Sequence, residues 1–283
     1  MRLIPLHRLA ATSVLAVLAH SICDPAPARA GVDWREWSRE DKTIALNLGA
    51  AAGLLAWGVG TWDYGDKSPR FSDEGWFGRE TNHGGADKLG HFWTGYALSH
   101  LFAGQYERWD YTPDEAARLG AVSSLGAMSL VEIGDAFSEH GFSYQDFLFD
   151  AVGAGIGYLW WTNPDLARKF DFRVEYDPFR DGELQGDVFT DYDRLKYLVA
   201  IKAEGFEGID NPVLKLLELH VGWYSRGYEA WDPLFPERDE RRRYFYVGIG
   251  INLTRLLQPT VKTNAFNYLQ VPYTDLTVRA GVD

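Results

Sequence analysis

Apolar positions along this chain repeat first at helical spacing and then at alternation. Four long apolar segments predict helices over residues 39–61, 87–107, 113–135 and 144–161. Three of them open with capping chemistry: Ser38 precedes Asp41, Thr112 precedes Pro113 and Glu115, and Ser143 precedes Asp146. A hydroxyl with an acid three residues on satisfies the N–H groups that a helix start leaves unpaired. Past "WWTNPD" the period falls to two. Phe170, Phe172, Val174 and Tyr176 alternate with Asp171, Arg173 and Glu175, as in a strand with one buried face. The same alternation runs through 217–223, 276–282 and "RYFYVGIGINL" (243–253), with a further strand at 195–201. A membrane barrel needs about eight strands, so these five predict a small antiparallel sheet. The chain reads as α+β: a four-helix membrane-associated bundle over 31–162, then a strand-rich region over 163–283.

The first helix is apolar from Ile44 to Val59 apart from Asn47, close to the roughly 20 residues that cross a hydrocarbon core. His91, His100 and Gln105 interrupt the second, and three serines the third, as expected of helices packed on one another. Gly49 with Gly53 and Gly153 with Gly157 form two GxxxG steps, which predict close helix contacts. The connector between the first two helices holds Trp76 and Phe77, read either as dipping into a bilayer surface or as capping the bundle.

Residues 1–30 have the pattern of a secretory signal: Arg2 and Arg8, an apolar run from Leu9 to Ile22, and "APARA" before Gly31. Cys23, the single cysteine, lies inside that leader, so the exported chain would carry no thiol. A lipidated Cys23 is the rival reading, weakened by Ile22 where a small residue is wanted. A net charge of −12 argues against binding nucleic acid or anionic lipid by bulk electrostatics. Walker and Rossmann patterns are absent, which argues against nucleotide use.

The candidate chemistry lies at helix ends. Asp87 and His91 are one turn apart at the start of the second helix, Glu132 and Asp135 close the third, and Asp146 and Asp150 open the fourth. In an antiparallel bundle these ends share one pole, where five carboxylates and an imidazole would meet. His91, Glu132, Asp135, Asp146 and Asp150 could then hold a divalent cation through hard oxygens and one nitrogen. Crowding could instead raise one carboxyl pKa and supply an acid beside a base. Asp87 and Asp146 suit first turns on dipole grounds alone, whereas Glu132 and Asp135 near a C-terminus need a partner: a metal, His91, or the backbone of a neighbouring helix start. His100 reads as a satisfied core histidine.

"DKLGHF", "SLVEIGDAF" and "GFSYQDFLFDAVGAGIGY" resemble, over residues 86–158, the YfiM-like predicted periplasmic lipoproteins, a family of unknown function. A more distant similarity is to VanZ-like membrane proteins. The resemblance implies a cell-envelope location and a compact helical module. Two readings follow. The first is a noncatalytic envelope protein, at or in a membrane, that presents its sheet to another envelope protein. The second is a hydrolase or transferase acting on a lipid-linked or glycan substrate, with Glu132 or Asp146 as base and His91 as proton carrier.

Overall fold

The structure, a computed structural model, describes residues 33–180, 187–229, 234 and 239–282. The leader and Cys23 lie outside the described residues. Helices α1 (Arg39–Thr61), α2 (Ala86–Glu107), α3 (Pro113–Ala136) and α4 (Tyr144–Thr162) follow the predicted segments closely. Their starts use the foreseen caps: Ser38 Oγ accepts the Asp41 N–H, Thr112 and Glu115 form a reciprocal capping box, and Ser143 Oγ accepts the Asp146 N–H. Two short helices, α5 (Pro164–Lys169) and α6 (Leu253–Leu257), lie beyond them.

Strands β1 (Phe71–Ser72) and β2 (Phe142–Ser143) pair in parallel and tie the connector to the start of α4. The main sheet contains β3 (Phe170–Tyr176), β4 (Leu195–Lys202), β5 (Leu217–Arg226), β6 (Arg242–Ile251), β7 (Leu269–Gln270) and β8 (Asp275–Gly281). Their order is β7-β3-β4-β5-β6-β8. The sheet is mixed rather than purely antiparallel, because β7 runs parallel to β3. A two-residue strand has too little alternation to be seen in sequence. β7 and β8 lie at opposite ends of the order, yet residues 271–274 alone join them. Such a link reaches about 18 Å at most, so the sheet curls until its edges approach.

α2 is the hinge between helices and sheet. Ala86 packs with Val174, Tyr192, Leu195 and Tyr197, Phe92 and Tyr96 both meet the Phe172 ring, and Trp93 Nε1 donates to Tyr268 O at 3.0 Å. On the far side α4 crosses α2 at Gly153 and Gly157, where a Cβ would fall on the Phe92 carbonyl and on Ser99. That GxxxG step is a helix contact. The Gly49/Gly53 step is not, since a Cβ at either position meets nothing within 4 Å. Phe77 caps the structure between Phe149 of α4 and Trp223 of β5, and Trp76 packs on Tyr144 and Phe149.

Two expectations are corrected. A bundle of four membrane helices does not form: among the described residues only α1 and α3 are long and apolar enough to cross a membrane. The histidines and glutamine of α2 and the buried acids of the 19-residue α4 account for this. The apolar window of α3 is 44% buried and packs among its neighbours, whereas that of α1 is 6% buried.

The second correction concerns which strand face is inside. In β5, β6 and β8 the apolar side chains point outward: Leu219 and Ile249 are exposed, and Leu276 is 84% exposed. The polar face lies inside the curl. Arg173, 1% exposed, forms a two-armed ion pair with Glu218 (2.7 and 2.8 Å) and a further bond to Asp171 (2.7 Å). Lys202 Nζ completes Asp171 at 2.7 Å, and His220 Nδ1 stands 2.9 Å from Asp275 Oδ2. Alternation marks two faces of a strand but not which one the chain encloses. Here Arg173, Glu218, Asp171 and Lys202 are each compensated by a partner, which is the condition for burying them.

Candidate functional site

α1 runs parallel to α3, while α2 and α4 run the opposite way. Side-chain bonds record it: Asn47 of α1 reaches Tyr106 at the end of α2, and Tyr64, after α1, donates to Val131 O near the end of α3. The start of α2, the end of α3 and the start of α4 therefore share a pole. There the structure brings together Asp87, His91, Glu132, Asp146 and Asp150. Asp135 stands at the edge, toward Tyr64 and His140.

The cluster has two halves. In the first, Lys88 Nζ, with its side chain 0% exposed, meets Asp87 Oδ2 at 2.7 Å, Glu74 Oε2 at 2.8 Å and Asp146 Oδ1 at 2.9 Å. One ammonium thus gathers carboxylates from the connector, α2 and α4. Burial alone would lower the Lys88 pKa, but these three acids outweigh it and raise it. Burial and the neighbouring Asp146 push Glu74 up to about 8. Gln145 donates to Asp73, pinning the connector alongside.

In the second half, His91 Nδ1 lies 3.0 Å from Asp150 Oδ1 and 3.5 Å from Glu132 Oε1. Burial opposes its charge, yet Asp150, Asp146 and Glu132 hold the imidazole well above its ordinary value. Burial pushes Glu132 up to about 9 against the pull of the His91 charge. Glu132 Oε2 accepts the backbone N–H of Ser143 at 3.1 Å, the partner at a neighbouring helix start that an acid near a C-terminus needs. Asp146 moves the other way: burial raises it, but His91 and Lys88 together hold it below the usual range. Burial raises Asp150, and it raises Asp135 to about 6. Glu132 Oε1 and Asp150 Oδ2 are buried without a hydrogen-bond partner.

Two triads have ligand atoms close enough to share an ion: His91, Glu132 and Asp146, and Glu74, Asp87 and Asp146. Lys88 already supplies the cation of the second. The first, with two oxygens and one nitrogen, is the set whose chemistry suits a divalent cation. His100 is elsewhere and satisfied, with Nε2 donating to Gly157 O at 2.9 Å and Nδ1 accepting from the Tyr268 hydroxyl at 2.8 Å. Burial lowers it to about 4.

Sequence reasoning missed Lys88 and Glu74. Lys88 had a signal, because a cation in the first turn of a helix opposes the dipole and needs an acid nearby. Glu74 had none. It sits in an irregular connector where no period places it opposite α2.

The site defines an α+β protein whose helical half encloses a carboxylate–lysine–histidine cluster. Residues 73–162 match the family described as "Predicted periplasmic lipoprotein (DUF2279)", and every member of the cluster falls within that stretch. That description supports an exported envelope protein of unknown activity. No curated protein and no solved structure matches the chain.

Proposed function

We propose that this is a membrane-associated envelope protein without catalytic activity, its helical module locked by the buried cluster and its apolar outer faces turned to lipid. The observation that carries this reading is the reversed polarity of the sheet. Charged side chains are enclosed, while Leu219, Phe245, Val247, Ile249, Leu276 and Val278 form an uncovered apolar face. Ile44, Leu48, Leu55 and Val59 of α1 form another. Contiguous apolar surface of this kind marks a membrane or protein contact. The resemblance to YfiM-like proteins points to the same compartment. Within the cluster, Lys88, Glu132 and Asp150 have at most 1% of their side chains exposed. A hydrolase or transferase needs those groups within reach of a substrate. The test is flotation of the purified chain with phosphatidylcholine vesicles, beside melting curves of alanine variants at His91, Glu132, Asp146 and Asp150. Association with vesicles, and variants that lose only stability, are expected; a chain that stays with the soluble fraction would overturn the membrane reading.

The unpartnered oxygens of Glu132 and Asp150 favour a second reading, a divalent cation held by His91, Glu132 and Asp146 with Asp150 behind His91. Calorimetric titration with Mn²⁺ checks it: binding by the wild type that is lost in Glu132→Gln is expected, and absence of binding rejects it.

A further inference from the structure

A cavity of about 270 Å³ opens at the end of the curled sheet nearest the cluster pole, on the polar side. Four cations line it: Arg180 after β3, Lys196 of β4, Arg226 of β5 and Arg279 of β8. The acid in its lining is Asp177, whose oxygens accept the Tyr273 hydroxyl at 2.8 Å and the Phe179 N–H at 3.0 Å. Lys196 is paired with Glu175 at 2.6 Å. Among the described residues, none of the three arginines pairs with a carboxylate within 4.0 Å.

Arg226 forms the floor. It is 8% exposed, stacks 4.3 Å over the Tyr224 ring, and gives Nη1 to the carbonyls of Leu195 and Ser225, while its Nε–H is buried with no partner. Burial and the facing charge of Arg180 lower it to about 10. Arg279 stands at the open rim, its Nη1 3.0 Å from the Tyr224 hydroxyl and its guanidinium stacked on Tyr244. Tyr224 thus holds two guanidinium groups, Arg226 on its ring face and Arg279 at its hydroxyl. Positioned guanidinium forks are the donors that match phosphate oxygens. In a chain of net charge −12, a local surplus of four cations over the lining acid Asp177 and the Lys196 partner Glu175 marks a place that suits an anion.

We propose that this cavity binds a phosphate group, with Arg226 beneath it and Arg279 and Arg180 on its sides. The phosphate comes either from a lipid headgroup or from a soluble phosphoester. The cavity is separate from the cluster, and its occupancy is measured in detergent whatever the membrane association. Calorimetry of the full chain is run with inorganic phosphate and with short-chain phosphatidic acid, on wild type, Arg279→Gln and Arg226→Gln. Arg279 is on an exposed edge strand, so its variant folds even if that of Arg226 does not; circular dichroism checks both. Binding of either probe, weakened at least tenfold by Arg279→Gln, is expected. Tighter binding of phosphatidic acid than of inorganic phosphate assigns the lipid source, and equal binding the soluble one. No binding of either probe by the wild type, or equal binding by wild type and Arg279→Gln, overturns the proposal.

Discussion

Glu132 accepts the backbone N–H of Ser143 at 3.1 Å, so the last turn of α3 is tied to the residue that caps α4. Two helices joined by the seven-residue connector 137–143 are thereby tied to each other at the pole. Because burial raises Glu132 to about 9, glutamine is the close mimic of its favoured neutral form. Glu132→Gln is expected to unfold within about 1 kcal/mol of wild type, whereas Glu132→Ala, which strands a buried N–H, costs about 1–3 kcal/mol. Urea unfolding at pH 7 separates the two.

Lys88 offers the sharper perturbation. Lys88→Met leaves Glu74, Asp87 and Asp146 facing one another without their shared cation. Removing one partner of a buried ion pair costs roughly 3–5 kcal/mol. Thermal melts of the variant and the wild type at pH 7 test this.

Stability should fall as pH rises from about 6 to 9. Glu132 at about 9 and Glu74 at about 8 hold protons in the folded chain that the unfolded chain has released by pH 6. The folded state therefore binds more protons through this interval, and unfolding becomes easier as they are removed. His91, also raised, adds in the same direction. Denaturation midpoints across the interval should slope downward, and Glu132→Gln should flatten the slope.

The two glycine pairs predict opposite outcomes. Gly153→Val pushes side-chain atoms against the Phe92 carbonyl and should cost several kcal/mol or prevent folding. Gly49→Ala meets open space on an exposed helix and should be neutral or stabilise by up to about 1 kcal/mol. Paired melting curves distinguish a packing glycine from a tolerated one.

Ile249→Asp places a charge on the outer sheet face without touching the Arg173–Glu218 interior. It should leave the circular dichroism spectrum unchanged and reduce vesicle flotation. Unchanged flotation would remove this face from the lipid contact.

What could be read from the chain was what depends on neighbours in sequence. Ser38, Thr112 and Ser143 announce helix starts because a cap acts within three residues, and the spacings of Asp87 to His91 and Asp146 to Asp150 put each pair on one face. The alternation of β3 to β6 showed two-sided strands for the same reason. What the tertiary structure decided depends on partners brought from far away. Lys88 gathers Glu74 only because the connector folds back over α2, and β7 exists only because it finds the edge of β3. The inward face of β3 to β5 is polar because Arg173, Lys202 and Asp275 arrive from other strands to neutralise Glu218, Asp171 and His220. A period of two is blind to which face meets those partners, since inverting the sheet leaves the alternation unchanged and alters only where the charges find compensation.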